Sequence, residues 1–298
     1  MSSSVSSTGL GYSILASLMF GLIPWYVQWL NPLDGSLLFW NRILFSSITA
    51  LASLLLLRKF RLFQQLLKEP ENMLWLAAGT LLVGFQWWLF VWAPINELTT
   101  ELSLGYFLLP LTLVLTGRVV YGEKLRPLQM TGAALAAIGV AHEIYQFGSL
   151  SWVPVAVAAG YPLYFLIRRK VKVHTLACFM FENLLLLPFA IFAIASHEGF
   201  LQTLSANTDL YYLLPGLGIL CTLAMLIYVA ASKALPVSLF GLLSYLEPAI
   251  IFMVAIFILK EPLPSSQWAT YGFIWLATAI ICIDSIRIVR KPAIAGAP

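Results

Sequence analysis

The chain has 298 residues, 60% of them apolar and 10% charged, with a formal charge of +4 and a mean hydropathy of +0.89. Soluble domains carry roughly 25% charged residues, so these proportions exclude one and describe a chain dissolved largely in lipid. The long runs are apolar on every face, which excludes a transmembrane barrel built from alternating segments of roughly ten residues.

Runs bounded by polar residues, Pro or Gly predict ten helical spans. They cover about residues 11–30, 37–57, 73–93, 102–121, 128–145, 152–167, 175–196, 210–231, 239–259 and 267–287. The serine-rich segment Met1 to Thr8 has no Lys or Arg and no clear cleavage site follows, so the first run is read as a span rather than a signal peptide. Short connections make neighbouring helices antiparallel. Only Arg58 to Glu71 and His197 to Asp209 are long enough for structure of their own, and the former reads as a brief amphipathic surface helix.

Basic residues cluster in alternate connections. With the N-terminus inside, every Lys and Arg except Arg42 and Lys260 falls on the cytoplasmic side, which places both termini in the cytoplasm. These short clusters serve membrane orientation, and no nucleic-acid partner is expected.

A shift of 138 residues places Leu104 on Leu242, Leu108 on Leu246, Pro110 on Pro248, Glu123 on Glu261, Leu125 on Leu263 and Gln129 on Gln267, as it does Val91 on Val229 and Ala93 on Ala231. Five spans per unit is an odd number, so consecutive units enter the membrane from opposite sides. The predicted architecture is an all-α membrane protein of ten helices in two inverted repeats, residues 1–145 and 146–298.

The repeated segments carry a resemblance. Ser103, Leu104, Gly105, Tyr106, Phe107 and Pro110, followed by Gly122, Glu123 and Gln129, closely resemble the EamA family of the drug/metabolite transporter superfamily, and within it the RarD-type proteins, over nearly the whole chain. Gly122-Glu123 matches the acidic turn before the last helix of an EamA unit, whereas Lys260-Glu261-Pro262 departs from it in the second unit. Tyr245, Leu246, Glu247 and Pro248 look like the Leu-Glu-Pro segment of many second units. The resemblance implies efflux of a small amphipathic metabolite, amino acid or drug across the bacterial inner membrane, without naming a cargo.

Charged residues inside lipid cost roughly 2.5 to 3.5 kcal/mol on insertion scales and so face a cavity or a partner. Arg42, Glu182 and Glu247 qualify, although Arg42 is near enough to a span end to snorkel to the headgroups. Gln86 and Trp87, with Trp88 beside them, lie mid-span, too deep for an interfacial belt, and either hold an amphipathic solute or join helices through the amide. With Tyr106, Asn183 and Tyr245 they complete the expected substrate-binding set. Trp25, Tyr26, Tyr161, Tyr164 and Tyr228 are weaker candidates.

Pro110 and Pro248 each remove a backbone hydrogen bond at matching positions, and a kink or break near mid-membrane is expected in both helices, which would then act as gates. A carboxylate in such a cavity, Glu247 or Glu182, is a candidate for proton coupling. The partners expected are a small-molecule substrate and membrane lipid.

Cys178, Cys221 and Cys282 lie in apolar runs without metal-ligand spacing, and His142-Glu143 lacks the second histidine of a zinc-protease helix. No phosphate-binding loop or nucleophile elbow occurs, so no cofactor or metal is expected and an enzymatic role is not. The alternative, a membrane enzyme acting on a lipid or isoprenoid, requires clustered acids, whereas Glu97, Glu101, Glu198 and Asp209 are scattered over separate loops. Gly132, Ala133, Ala136, Ala137, Gly139 and Ala141 make the fifth span small-faced, and a close contact with the tenth within one chain is expected.

Overall fold

A computed structural model describes residues 6–96, 98–147, 151–258, 260 and 267–290. Glu97, Glu261, Pro262, Leu263 and Lys291, which enter the reading above, lie outside the described residues.

Local chemistry starts and ends the helices where the runs predict. In the first half these are α1 (Ser7–Gln28), α2 (Gly35–Leu56), α3 (Phe60–Leu66), α4 (Pro70–Ile95), α5 (Thr99–Tyr121) and α6 (Pro127–Phe147). The Ser6 hydroxyl accepts from Gly9 N at 3.1 Å and the Asp34 carboxylate from Leu37 N at 3.0 Å, satisfying first-turn amides of α1 and α2. Pro70 and Pro127 occupy first positions, where a missing N–H costs nothing. At the end of α5, Gly122 takes φ +63°, the left-handed geometry that stops a helix cheaply only at Gly.

The second half comprises α7 (Trp152–Lys170), α8 (Thr175–Ser196), α9 (Phe200–Ala206), α10 (Leu210–Ala234), α11 (Val237–Leu243), α12 (Leu246–Met253) and α13 (Gln267–Arg290). α12 runs into a π-helical turn at Val254–Ile258. The surface helix expected in the Arg58–Glu71 link is α3, which buries Phe63 and Leu66 and leaves its charged flanks outside. α6 continues through Phe147, past the expected division at 145/146.

Among the described residues, eight helices are long and apolar enough to cross a membrane, with Val237–Ile258 taken as one. α6 and α7 have comparable length but fall below that apolarity: a third of α6 is Gly or Ala and its last turns carry His142, Glu143 and Gln146, and α7 ends in Arg168-Arg169-Lys170.

The prolines behave differently from each other. The helix carrying Pro248 is broken at Ser244 and Tyr245, between α11 and α12, whereas α5 passes through Pro110 without interruption. The expected break therefore occurs in one half alone. α11 packs directly onto the proline-bearing stretch of α5: a Cβ on Gly241 would lie 2.8 Å from the Pro110 carbonyl oxygen and 2.5 Å from Leu113 Cβ.

Packing recurs with the sequence. α1 packs on α10 as α7 packs on α4, α2 on α10 as α8 on α4, and α5 on α7 as α12 on α1. The pairs α2–α8, α5–α11 and α6–α13 each join equivalent elements. In the last of these the small-residue face meets its expected partner: a Cβ on Gly132 would sit 2.7 Å from Ile281 Cγ1, and one on Gly139 3.1 Å from the Thr270 carbonyl oxygen. Between α7, α10 and α11 the core is an aromatic layer, with Phe165 5.5 Å from Tyr228 and 5.1 Å from Phe240, and Tyr228 4.8 Å from Phe240 between ring centroids.

Forcing α6 away from α13 tests this seam. Gly132→Leu is expected to lower stability by about 1–3 kcal/mol through overpacking, seen as a lower unfolding midpoint in detergent, whereas Gly272→Ala, where a Cβ meets nothing within 4 Å, leaves the midpoint nearly unchanged.

Candidate functional site: a charged and aromatic centre

Lipid offers no hydrogen bonds, so every polar side chain on these helices needs a partner or a wet cavity. The expected site residues divide on that criterion.

Arg42, Trp87, Tyr106 and Glu247 are brought together. Arg42 stands two turns into α2 and is half-buried, its guanidinium 4.3 Å from the centroid of the Trp87 ring on α4. This stack replaces water with the ring's negative face. Tyr106 on α5 lies 6.1 Å from Tyr161 on α7 between ring centroids, and both are within electrostatic range of Arg42 and Glu247. Glu247 stands in the first turn of α12, at the positive end of the short helix beyond the break, and Tyr228 on α10 is also within its range. Arg42, Tyr106, Tyr161 and Glu247 are each partly buried. Tyr161 and Tyr228, weaker candidates from sequence, belong to this group.

Gln86 is turned elsewhere. Its side-chain amide is 1% exposed and donates to the Ala156 carbonyl on α7 at 3.0 Å. The contact requires Gly160, where a Cβ would lie 1.8 Å from Gln86 Nε2. Gln86 thus joins α4 to α7, the interhelical alternative open to it in the sequence. Tyr245 is fully buried, and its hydroxyl donates to the Phe107 carbonyl at 3.0 Å. Residues 107 and 245 are equivalent in the repeat, so this bond ties the broken helix to α5 at matching levels.

Glu182 and Asn183 occupy a separate, sealed cluster. Glu182 Oε1 lies 3.4 Å from Arg168 Nε, with the two side chains 2% and 0% exposed, and Glu182 Oε2 accepts from the Tyr164 hydroxyl at 3.3 Å. Asn183 donates to the Phe179 carbonyl at 2.8 Å, one turn back on α8. Arg168 counted in the sequence as one of the orienting cations, yet it is wholly buried; nothing in the run Arg168-Arg169-Lys170 distinguishes it except that Glu182 lies on the next helix.

Glu123 is a further residue that sequence reasoning left as part of a turn. Its carboxylate oxygens accept from Val237 N at 2.8 Å and Ser238 N at 2.7 Å, capping the N-terminus of α11 from the other half of the chain. Gly117 makes room, since a Cβ there would lie 2.5 Å from Glu123 Oε2. The Gly122-Glu123 turn was the available signal. Among the described residues no group of His, Cys, Asp and Glu is arranged to hold a metal ion.

No family model matches the chain. It is 40% identical over 98% of its length to chloramphenicol-sensitive protein RarD of Pseudomonas aeruginosa, 99% of which is covered. The chain belongs to the RarD family. It is also 30% identical to protein RarD of Escherichia coli, over 95% of this chain and 96% of the other, and 32% identical to an uncharacterized transporter of Haemophilus influenzae, over 96% and 97%. A crystal structure at 17% identity superposes on 95% of this chain and 99% of its own with a TM-score of 0.69, a likeness of fold. With eight helices apolar enough to span, this RarD-family chain is a multi-pass membrane protein.

The sealed pair has a measurable signature. Arg168→Met leaves the Glu182 carboxylate buried without its counter-charge and is expected to cost about 3–5 kcal/mol in unfolding measurements, with Arg168→Met/Glu182→Met recovering most of that loss. Equal destabilisation by the single and double changes would contradict the pairing.

Proposed function

We propose that the chain is a secondary transporter, exporting a small amphipathic solute by alternating access at a centre shared by two inverted five-helix halves. One observation carries the reading: Arg42 from the first half and Glu247 from the second keep accessible surface deep in the bundle, among Trp87, Tyr106, Tyr161 and Tyr228. A cation, a carboxylate and aromatic faces suit an amino acid, a metabolite or a drug of similar size with both polar and apolar parts. The matched packing of equivalent helices supports the two halves, with α6 and α7 as the remaining pair of spans. The relatives named as transporters favour transport over the membrane-enzyme alternative.

The gating device in this reading is asymmetric. The basic end, with Arg58, Arg118 and Arg169, faces the cytoplasm of a bacterial inner membrane, and both termini lie there. Along α7, α10 and α11 the Phe165–Tyr228–Phe240 layer stands between the centre and that end, backed by the Glu123 cap on α11. This is a closed cytoplasmic gate. The break between α11 and α12 is the hinge about which the helix bearing Pro248 moves, while Pro110 gives α5 the lesser give of a missing hydrogen bond.

Glu247 serves as the coupling carboxylate. It has no cationic partner as near as that of Glu182, and exchange of a proton there as access alternates would drive efflux. In proteoliposomes, the wild type is expected to show saturable counterflow with a member of a panel of amino acids and amphenicol-type drugs, and Glu247→Gln to keep counterflow while losing pH-driven uptake by tenfold or more. Undiminished pH-driven uptake in Glu247→Gln would refute the coupling role, and absence of saturable counterflow across the panel would count against transport.

A further inference from the structure

A second charged concavity lies at the basic end, away from the centre. The C-terminus of α5, the last turns of α7 and α10 and the link after α7 surround a cleft of about 650 Å³, a size typical of ligand sites. Four of the side chains that line it are cations, Arg169, Lys170, Lys172 and Lys233, and Tyr121 completes its polar wall; none of the lining side chains is acidic.

Neutral groups hold these cations in place. The Arg169 guanidinium donates to the carbonyls of Ser232 and Leu235 at the end of α10 and lies 5.3 Å from the Tyr121 ring centroid. Lys233 Nζ donates to the Val171 carbonyl at 3.2 Å, and Lys170 Nζ stands 3.5 Å from the centroid of the Trp75 ring. Carbonyl dipoles and ring faces orient a cation without cancelling its charge. The carboxylates nearby are committed: Glu182 to Arg168, and Glu123, which lies in electrostatic range of Arg169, to two amides of α11. Arg169 Nε is buried and has no hydrogen-bond partner.

Orientation in the membrane asks only that cations lie on one side. It does not ask that four of them converge on one cavity, where like charges repel unless an anion enters. A guanidinium beside three ammonium groups, with no carboxylate among the lining side chains, matches the charge of a phosphate. Nearly two turns deeper on α7 than Arg169, Leu163 is 49% exposed, an apolar surface on which an acyl chain can lie below the cations.

We propose that this cleft binds a phosphate group, supplied in the membrane by the headgroup of an anionic phospholipid such as phosphatidylglycerol. Basic pockets between transmembrane helices recognise such headgroups by the same chemistry. The occupant bridges α5, α7 and α10 beside the Glu123 cap and so ties lipid composition to the end of the molecule that closes.

The test uses the full chain, purified in neutral detergent and stripped of lipid, with its unfolding midpoint followed as phosphatidylglycerol, phosphatidylcholine or glycerol 3-phosphate is added. Phosphatidylglycerol is expected to raise the midpoint saturably and phosphatidylcholine not to. Lys172→Ala/Lys233→Ala is expected to need about tenfold more phosphatidylglycerol for the same shift. Lys172→Ala alone, at an exposed position, carries the same comparison with a smaller shift if the double variant is unstable. A shift with phosphatidylglycerol alone assigns the site to lipid; an equal shift with glycerol 3-phosphate keeps the phosphate site and overturns its lipid source. Equal effects of the two phospholipids, or an unchanged response in the variants, would overturn the proposal. The readout is independent of transport, so it stands or falls apart from the central site.

Discussion

A polar group placed in hydrocarbon must find its partner within the protein or line a space that water can reach. Two cation–carboxylate sets inside this bundle satisfy that constraint in opposite ways. Arg168 and Glu182 meet directly on adjacent helices, with Tyr164 on the second carboxylate oxygen, and exclude solvent. Arg42 and Glu247 belong to different halves, share tyrosine neighbours and stay accessible. The first is a rivet, and in the proposed function the second is where a solute supplies the missing partner.

The backbone follows the same logic. At the break between α11 and α12 the Ser244 and Tyr245 amides bond back to the Phe240 and Leu242 carbonyls, and two contacts with the other half of the chain hold the region: the Tyr245 hydroxyl on the Phe107 carbonyl, and the Glu123 carboxylate on the first amides of α11. Both contacts pass between α5 and its equivalent. Glycines at 117 and 241 let these two helices approach so closely that side chains on one reach backbone on the other. A seam made of polar latches and small residues can separate and reclose at smaller cost than one made of interlocked aliphatics, which is what a moving element needs.

Much of this was legible in the amino-acid sequence, because hydrophobic run length and charge distribution respond directly to the bilayer. The extent of α8, the surface helix α3, the seam between α6 and α13 and the RarD resemblance all follow from such signals. Rotation of a helix about its axis leaves no trace in a run that is apolar on every face. Gln86 and Trp87 are neighbours in sequence, yet one joins α7 and the other receives Arg42. Arg168 is indistinguishable by composition from Arg169 and Lys170, and only its position on α7 facing α8 buries it. Pro110 and Pro248 are equivalent in register, yet α5 runs through the first while the helix carrying the second is interrupted at Ser244 and Tyr245, a difference the shared proline does not encode.

The most direct measurement of the central claim is the accessibility of the centre itself. With Cys178, Cys221 and Cys282 replaced, a single Tyr161→Cys probe in right-side-out and inverted membrane vesicles reports whether a polar, membrane-impermeant thiol reagent reaches the middle of the bundle. The account predicts modification from both sides, slower from the cytoplasmic side, where the Phe165–Tyr228–Phe240 layer intervenes. Labelling from neither side, with the probe variant folded, would show a solid core at that level and contradict a hollow shared by the two halves.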